Sequence, residues 1–192
     1  MELGALHERT VGEWTRMVEG LDASHWGRPT PCTDWTVRDL VNHVVGEELW
    51  TVPLVHGATI EEVGDRFDGD LLGDDPVARA RAAAQEAAAA VHERMPSGGT
   101  VHLSYGEEQL GEYVHQLAAD HLVHAWDLAM ASGQDAALDP ELVDALSGWF
   151  ADREDLYRSA GVIGARVADP GDDAQSRLIV ATGRDPGWST KA

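Results

Sequence analysis

Two histidines and an aspartate carry a spacing that can do chemistry. Asp120 and His124 stand four residues apart in the segment Tyr113-Val-His-Gln-Leu-Ala-Ala-Asp-His-Leu-Val-His-Ala-Trp-Asp127, and His43 lies upstream in Asp39-Leu-Val-Asn-His-Val-Val-Gly-Glu47. On a helix an i, i+4 pair lies about 40° apart, so a carboxylate and an imidazole converge on one point beside the axis. A third ligand then has to come from a neighbouring helix, and His43 supplies it. Two imidazoles and one carboxylate suit zinc with an open coordination position, and equally the facial triad that holds ferrous iron. Spacing alone leaves plainer readings open. His43 on an apolar stripe also reads as a satisfied core imidazole, and Asp120 with His124 as a stabilising i, i+4 pair.

Other polar residues fall near this trio. With about 100° per residue, Tyr113, Asp120, His124 and Asp127 fall within about 60° of each other and form one polar track on their helix. Tyr113 and Asp127 are the nearest candidates for proton transfer. Asp127 also suits a role behind the site, orienting a ligand imidazole, or an ordinary buried hydrogen bond. Glu47, four residues after His43, is either a further ligand or a partner for that imidazole. His121 lies about 60° from His124 and reads as a helix contact. Cys32, in Pro29-Thr-Pro-Cys-Thr-Asp-Trp35, invites a nucleophile reading, but a reactive thiol needs an electropositive or histidine-paired setting, and the sequence names no partner. It reads as structural. The arginine of Gly183-Arg-Asp-Pro186 can clamp an anion through its planar fork or form a loop salt bridge, and the loop salt bridge is the expectation.

The elements that must hold these residues are helices. Leu3, Leu6, Val11, Trp14, Met17, Val18 and Leu21 recur at helical spacing. A Pro, Thr, Asp and Gly-rich loop follows from Asp22 to Trp35. Thr36, with Asp39 three positions on, makes a capping box for a second helix running to about His56. Gly57 to Asp75 is a connection with one helical turn at Ile60 to Asp65. Pro76 fits the first turn of an alanine-rich third helix to Met95. Val101 to Tyr105 is a short extended piece. The fourth helix spans Glu107 to Ala131 and ends at Gly133, and a fifth runs from Asp139-Pro140 to about Ser159. The remainder, including Asp169-Pro-Gly-Asp-Asp173 and a short run at Leu178-Ile-Val-Ala, reads as irregular. The expected organisation is a helical bundle over 1–160 with a tail, 161–192, packed on it. Four helices of this length make a four-helix bundle, whose core builds metal sites from inward polar residues.

Composition narrows the function. Fourteen basic against thirty-four acidic side chains give a net charge of −20 in 192 residues, which disfavours nucleic acid and anionic membrane as partners. One cysteine excludes an intrachain disulfide and a cysteine-based zinc knot. No run approaches the roughly eighteen apolar residues of a membrane span, and the N-terminus has no leader pattern. The expectation is a cytoplasmic protein acting on a small molecule. Apolar residues on the first and fifth helices serve either the core or a homodimer contact.

Four segments then carry a resemblance. Thr30-Pro-Cys-Thr-Asp-Trp-Thr-Val-Arg-Asp-Leu-Val-Asn-His43, Asp70-Leu-Leu-Gly-Asp-Asp-Pro76, Ala119-Asp-His-Leu-Val-His-Ala-Trp-Asp-Leu-Ala129 and Gly183-Arg-Asp-Pro186 resemble successive signatures of an actinobacterial metal-binding family. That family belongs to the DinB/YfiT-like superfamily and is similar to the N-terminal domain of mycothiol-dependent maleylpyruvate isomerase. The resemblance implies an all-α, up-down-down-up four-helix bundle with an extra C-terminal helix and an irregular tail. It implies a divalent ion on His43, Asp120 and His124, zinc first, with nickel and iron as alternatives. Asp120 stands where the isomerase has a glutamate, so the ion would sit closer to the helix or bind differently. The implied activity is a thiol-dependent isomerase or S-transferase acting on a small electrophile, with mycothiol as cosubstrate. The alternatives are a non-catalytic metal or small-ligand-binding bundle and a cavity enzyme of secondary metabolism lined by Trp14, Trp50, Tyr113 and Trp149.

Overall fold

The computed structural model describes residues 1–167 and 171–189; residues 169 and 170 of the expected irregular segment lie outside the described residues. In chain order the elements are helices α1 (Leu3–Glu19), α2 (Val37–Val55), α3 (Ile60–Val63) and α4 (Pro76–Arg94). Strands β1 (Thr100–Leu103) and β2 (Gly106–Gln109) follow, then helices α5 (Leu110–Ser132), α6 (Pro140–Phe150), α7 (Glu154–Ser159) and α8 (Ala174–Ala181). The long helices α1, α2, α4 and α5 are the bundle.

Side-chain pairings give its directions. His7 near the start of α1 meets His121 in the first half of α5 with ring centroids 5.7 Å apart, and Gln134 just past α5 donates to the Met17 carbonyl near the end of α1. These two helices run parallel. Thr51, late in α2, bonds Tyr113, early in α5, so α2 runs against α5. Arg94 at the end of α4 donates to the Val55 carbonyl at the end of α2, and Arg81 early in α4 pairs with Glu19 at the end of α1. The order is therefore up, down, down, up.

The start and stop signals act where the sequence places them. Thr36 and Asp39 form the reciprocal capping box of α2, and Asp75 caps α4 with Pro76 in its first turn. Asp139 caps α6, and Gly133 closes α5 in the left-handed conformation. On α4, Ala80, Ala83, Ala84, Ala87 and Ala90 are all buried, which lets its backbone approach α1 and α2 closely. One core, with Trp14, Met17, Leu40, Val41, Val44 and Leu128, fills the end of the bundle below the long first loop. A second joins Leu122 and Trp126 of α5 to Leu142, Leu146 and Ile179 of α6 and α8. Each such side chain contributes about 1.5–3 kcal/mol by leaving water.

Three boundaries differ from expectation. The fourth bundle helix begins at Leu110 rather than Glu107, because residues 106–109 pair with 100–103 as an antiparallel hairpin. The expected fifth helix breaks into α6 and α7: Arg153 at the break chelates Glu112 of α5 and donates to the Trp149 carbonyl, and the resulting turn stacks Phe150 on Tyr157. Within the stretch read as irregular, Ala174–Ala181 is helical, capped by Asp173 and buried through Leu178, Ile179 and Val180. No helix among the described residues is long and apolar enough to cross a membrane.

Candidate metal centre

His43, Asp120 and His124 come together. The Nε2 of His124 lies 3.3 Å from Oδ1 of Asp120, and the Nε2 of His43 lies 3.7 Å from Oδ2 of the same carboxylate. One ligand atom from each of the three falls within 4.8 Å of the others. Bonds of about 2.1 Å around a tetrahedral ion set donors about 3.4 Å apart, so these separations fit a small divalent cation. The Oδ2 of Asp120 is buried without a hydrogen-bond partner, an orphaned acceptor at the point where an ion would sit.

The antiparallel pair α2 and α5 builds this cluster. His43 projects from the second turn of α2, and Asp120 and His124 are successive same-face residues in the middle of α5. Beside them, the tight turn Cys32–Trp35 closes with the Trp35 amide donating to the Cys32 carbonyl, and Asp34 takes a φ of 66°. Among the described residues it is the one non-glycine at positive φ, which aspartate tolerates. The turn lays the Trp35 ring 4.8 Å from His43 and 6.2 Å from His124, centroid to centroid.

Behind His124 lies a second layer. Asp127, fully buried, accepts from the Nδ1 of His124 at 2.9 Å, from the Nη2 of Arg184 at 3.0 Å and from the Cys32 thiol at 3.2 Å. The Nη2 of Arg184 also reaches the Cys32 sulfur at 3.4 Å. Burial alone would raise the Asp127 carboxyl, but the Arg184 charge and the bonds from His124 and Arg184 hold it below the usual range. Arg184 is raised by the same pairing, against burial. Asp120 and His124 form an ion pair: against the penalty of burial, Asp120 is held well below its ordinary range and His124 well above. Glu47, with its Oε1 3.7 Å from His43, is pushed well above the carboxylate range by its protein surroundings first and by the Asp120 charge second.

The remaining candidates have distinct places. The Thr51 hydroxyl donates to the Glu47 carbonyl, so the Tyr113 hydroxyl, 3.1 Å away, donates to Thr51; burial raises this phenol. His121 faces away from the trio, bonding the Leu117 carbonyl and the Oε1 of buried Glu48 at 3.2 Å. Its role is the helix contact that its position on the track suggested. Cys32 and Arg184, read as a structural thiol and a loop salt bridge, are the residues most under-read by sequence. The salt bridge is there, to Asp127, but it is inside the site. No local signal finds either, because 95 and 57 residues separate them from Asp127.

The trio opens on a half-open cavity of about 860 Å³ lined by α2, the hairpin, α5 and the C-terminal helices. Trp50, Tyr113 and Trp149 line it; Trp14 does not, being fully buried in the core between α1 and its neighbours.

In this all-α, DinB-like bundle an acid and a histidine one turn apart on the last long helix face a histidine of the second. Residues 7–129 match the mycothiol maleylpyruvate isomerase N-terminal domain family, and the chain belongs to that family. Two uncharacterized proteins of Mycobacterium tuberculosis, from strains CDC 1551 / Oshkosh and ATCC 25618 / H37Rv, are each 33% identical over 172 residues, covering 86% of this chain and 81% of theirs. Among solved structures, a histidine-to-alanine variant of the mycothiol-dependent maleylpyruvate isomerase superposes with a TM-score of 0.55 at 15% identity. The match covers 67% of this chain and 61% of that one, so the chain spans about three fifths of the isomerase's length. At that identity the likeness carries the fold.

Proposed function

We propose that this protein binds one divalent ion, zinc first, on His43, Asp120 and His124, and is a thiol-dependent isomerase or S-transferase acting on a small electrophile. The Asp120 carboxylate carries the reading, its Oδ1 against His124 and its orphaned Oδ2 towards His43. Membership in the family supports mycothiol as the thiol. A divalent ion makes a bound thiol a nucleophile at neutral pH by favouring its deprotonated form.

The chain's own residues do the rest. His124, with Nδ1 donating to Asp127, presents Nε2 to the ion in a fixed tautomer. Asp127 has no exposed surface, so it acts by positioning His124 rather than by touching substrate. Tyr113 reaches a bound acceptor only by turning its O–H from Thr51. In the isomerase reaction the thiol sulfur bonds to one carbon of a conjugated double bond, whose electron pair moves onto the adjoining carbonyl. After rotation about the former double bond, the carbon–sulfur bond breaks and the thiol regains its proton. In the transferase version the adduct is protonated and released.

A second grouping, Cys32, His124 and Asp127, also gathers donor atoms. The Arg184 guanidinium 3.0 Å from Oδ2 of Asp127 opposes a cation there.

The test is elemental analysis of protein purified without chelators or a metal-affinity tag. About one zinc, nickel or iron per chain, lost in Asp120→Ala and His124→Ala, is the expected result. An ion-free wild type that takes up no zinc on soaking would overturn the assignment.

A further inference from the structure

Resting on the thiol-dependent reading above, we infer that the acceptor is a neutral molecule with an aromatic or extended apolar group rather than a small dicarboxylate. The cavity's wall and its charge both point there.

Besides the metal trio, the cavity is lined by five aromatic residues, Trp50, Tyr105, Trp149, Phe150 and Tyr157. The polar ends of two of these rings are already engaged by other side chains. The Nε1 of Trp149 donates to Glu112 at 3.2 Å, and the Tyr105 hydroxyl pairs with Gln116. These rings bring an aromatic surface to the cavity, beside the Gln116 amide, and Val162, which is 67% exposed, extends it. Such a surface gains by covering another apolar group.

The charges argue against an anion. Among the described residues that line the cavity, the acids are Glu47 and Asp120, beside the ligand imidazoles, and the one arginine is Arg184. Arg184 is neutralised by Asp127, with which it makes two contacts at 3.0 and 3.4 Å. Arg153, over the Trp149 ring at 4.9 Å, is chelated by Glu112. Among the described residues, no uncommitted arginine or lysine lines the cavity to receive a dianion. Size agrees. A cavity of about 860 Å³ lies in the range that holds drug-sized ligands, and a small diacid would leave most of the aromatic wall to water.

The experiment is isothermal calorimetry on the full chain, metal-free and zinc-loaded, with benzylideneacetone as the neutral aromatic enone and maleate as the dianion. Benzylideneacetone is expected to bind in both forms, about tenfold or more tighter than maleate, the ratio that burial of one phenyl ring provides. Tyr105→Ser and Val162→Lys, both at exposed positions remote from the trio, are expected to weaken benzylideneacetone by about threefold or more. Val162→Lys is expected to strengthen maleate. Preferential binding of maleate to wild type, or benzylideneacetone binding unmoved by both variants, overturns the inference. If maleate with thiol turns over while benzylideneacetone does not bind, the inference falls and the thiol reading stands. If benzylideneacetone binds as expected but no thiol adduct forms on zinc-loaded protein, the pocket assignment stands and the thiol reading falls.

Discussion

His124 is held between two aspartates by different nitrogens: its Nδ1 lies 2.9 Å from Oδ2 of Asp127, and its Nε2 lies 3.3 Å from Oδ1 of Asp120. Two turns of α5 thus carry both aspartates and the imidazole between them, in the proposed site a ligand carboxylate, a ligand imidazole and the carboxylate that orients it. Asp120 is part-exposed to the cavity and Asp127 is not exposed at all, which separates their roles.

Removing the orienting carboxylate is therefore expected to weaken metal binding without abolishing it. Asp127→Asn should lower zinc affinity by about 10–100-fold, the usual loss for such a partner, measured by competition with a chromophoric chelator. Asp120→Ala should drop below detection in the same assay. Equal affinities in wild type and Asp127→Asn would show that the Asp127 contact is structural only.

The two donor groupings around His124 make different spectroscopic predictions. If the ion sits on His43, Asp120 and His124, cobalt-loaded protein should lack a thiolate-to-cobalt charge-transfer band in the near ultraviolet. Cys32→Ser should also retain one ion per chain. A strong charge-transfer band that disappears in Cys32→Ser would move the ion to the cysteine side.

A buried histidine remote from the ion sets an acid limit on stability. His7 is 2% exposed, and burial, with the neighbouring His121 adding to it, pushes its pKa down from 6.5 to about 3. The unfolded chain then binds a proton that the folded chain refuses. The stabilisation is fully present above pH 6.5 and is lost as pH falls towards 3. Between pH 7.5 and 5 this amounts to about 2 kcal/mol. Urea unfolding at the two pH values should show a drop about that much larger in wild type than in His7→Gln. Parallel drops in the two proteins would mean that His7 is already protonated in the fold.

Much of the frame was legible in the sequence because it is local. Capping residues, the prolines in first helical turns, Gly133 and the alanine run act through neighbours a few positions away, and these signals bound the bundle helices to within a few residues. The i, i+4 pair Asp120 and His124 was legible for the same reason, and family resemblance joined His43 to it. The fifth helix misled. Its periodicity continues through 151–153, but Arg153 is drawn to Glu112, 41 residues earlier, and the chain turns there.

The sequence by itself determined the helices, their ends and the polar face of α5, since each depends on the chemistry of residues within about one turn of each other. Only the tertiary structure decided that Cys32 and Arg184 meet at Asp127, that Trp14 belongs to the core rather than the cavity, and that the aromatic residues of α2, the hairpin and the C-terminal helices share one wall. Those relationships form between segments separated by tens of residues, where no local periodicity records which side chains will touch. They are set by how the apolar faces of α1, α2, α4 and α5 close on one another.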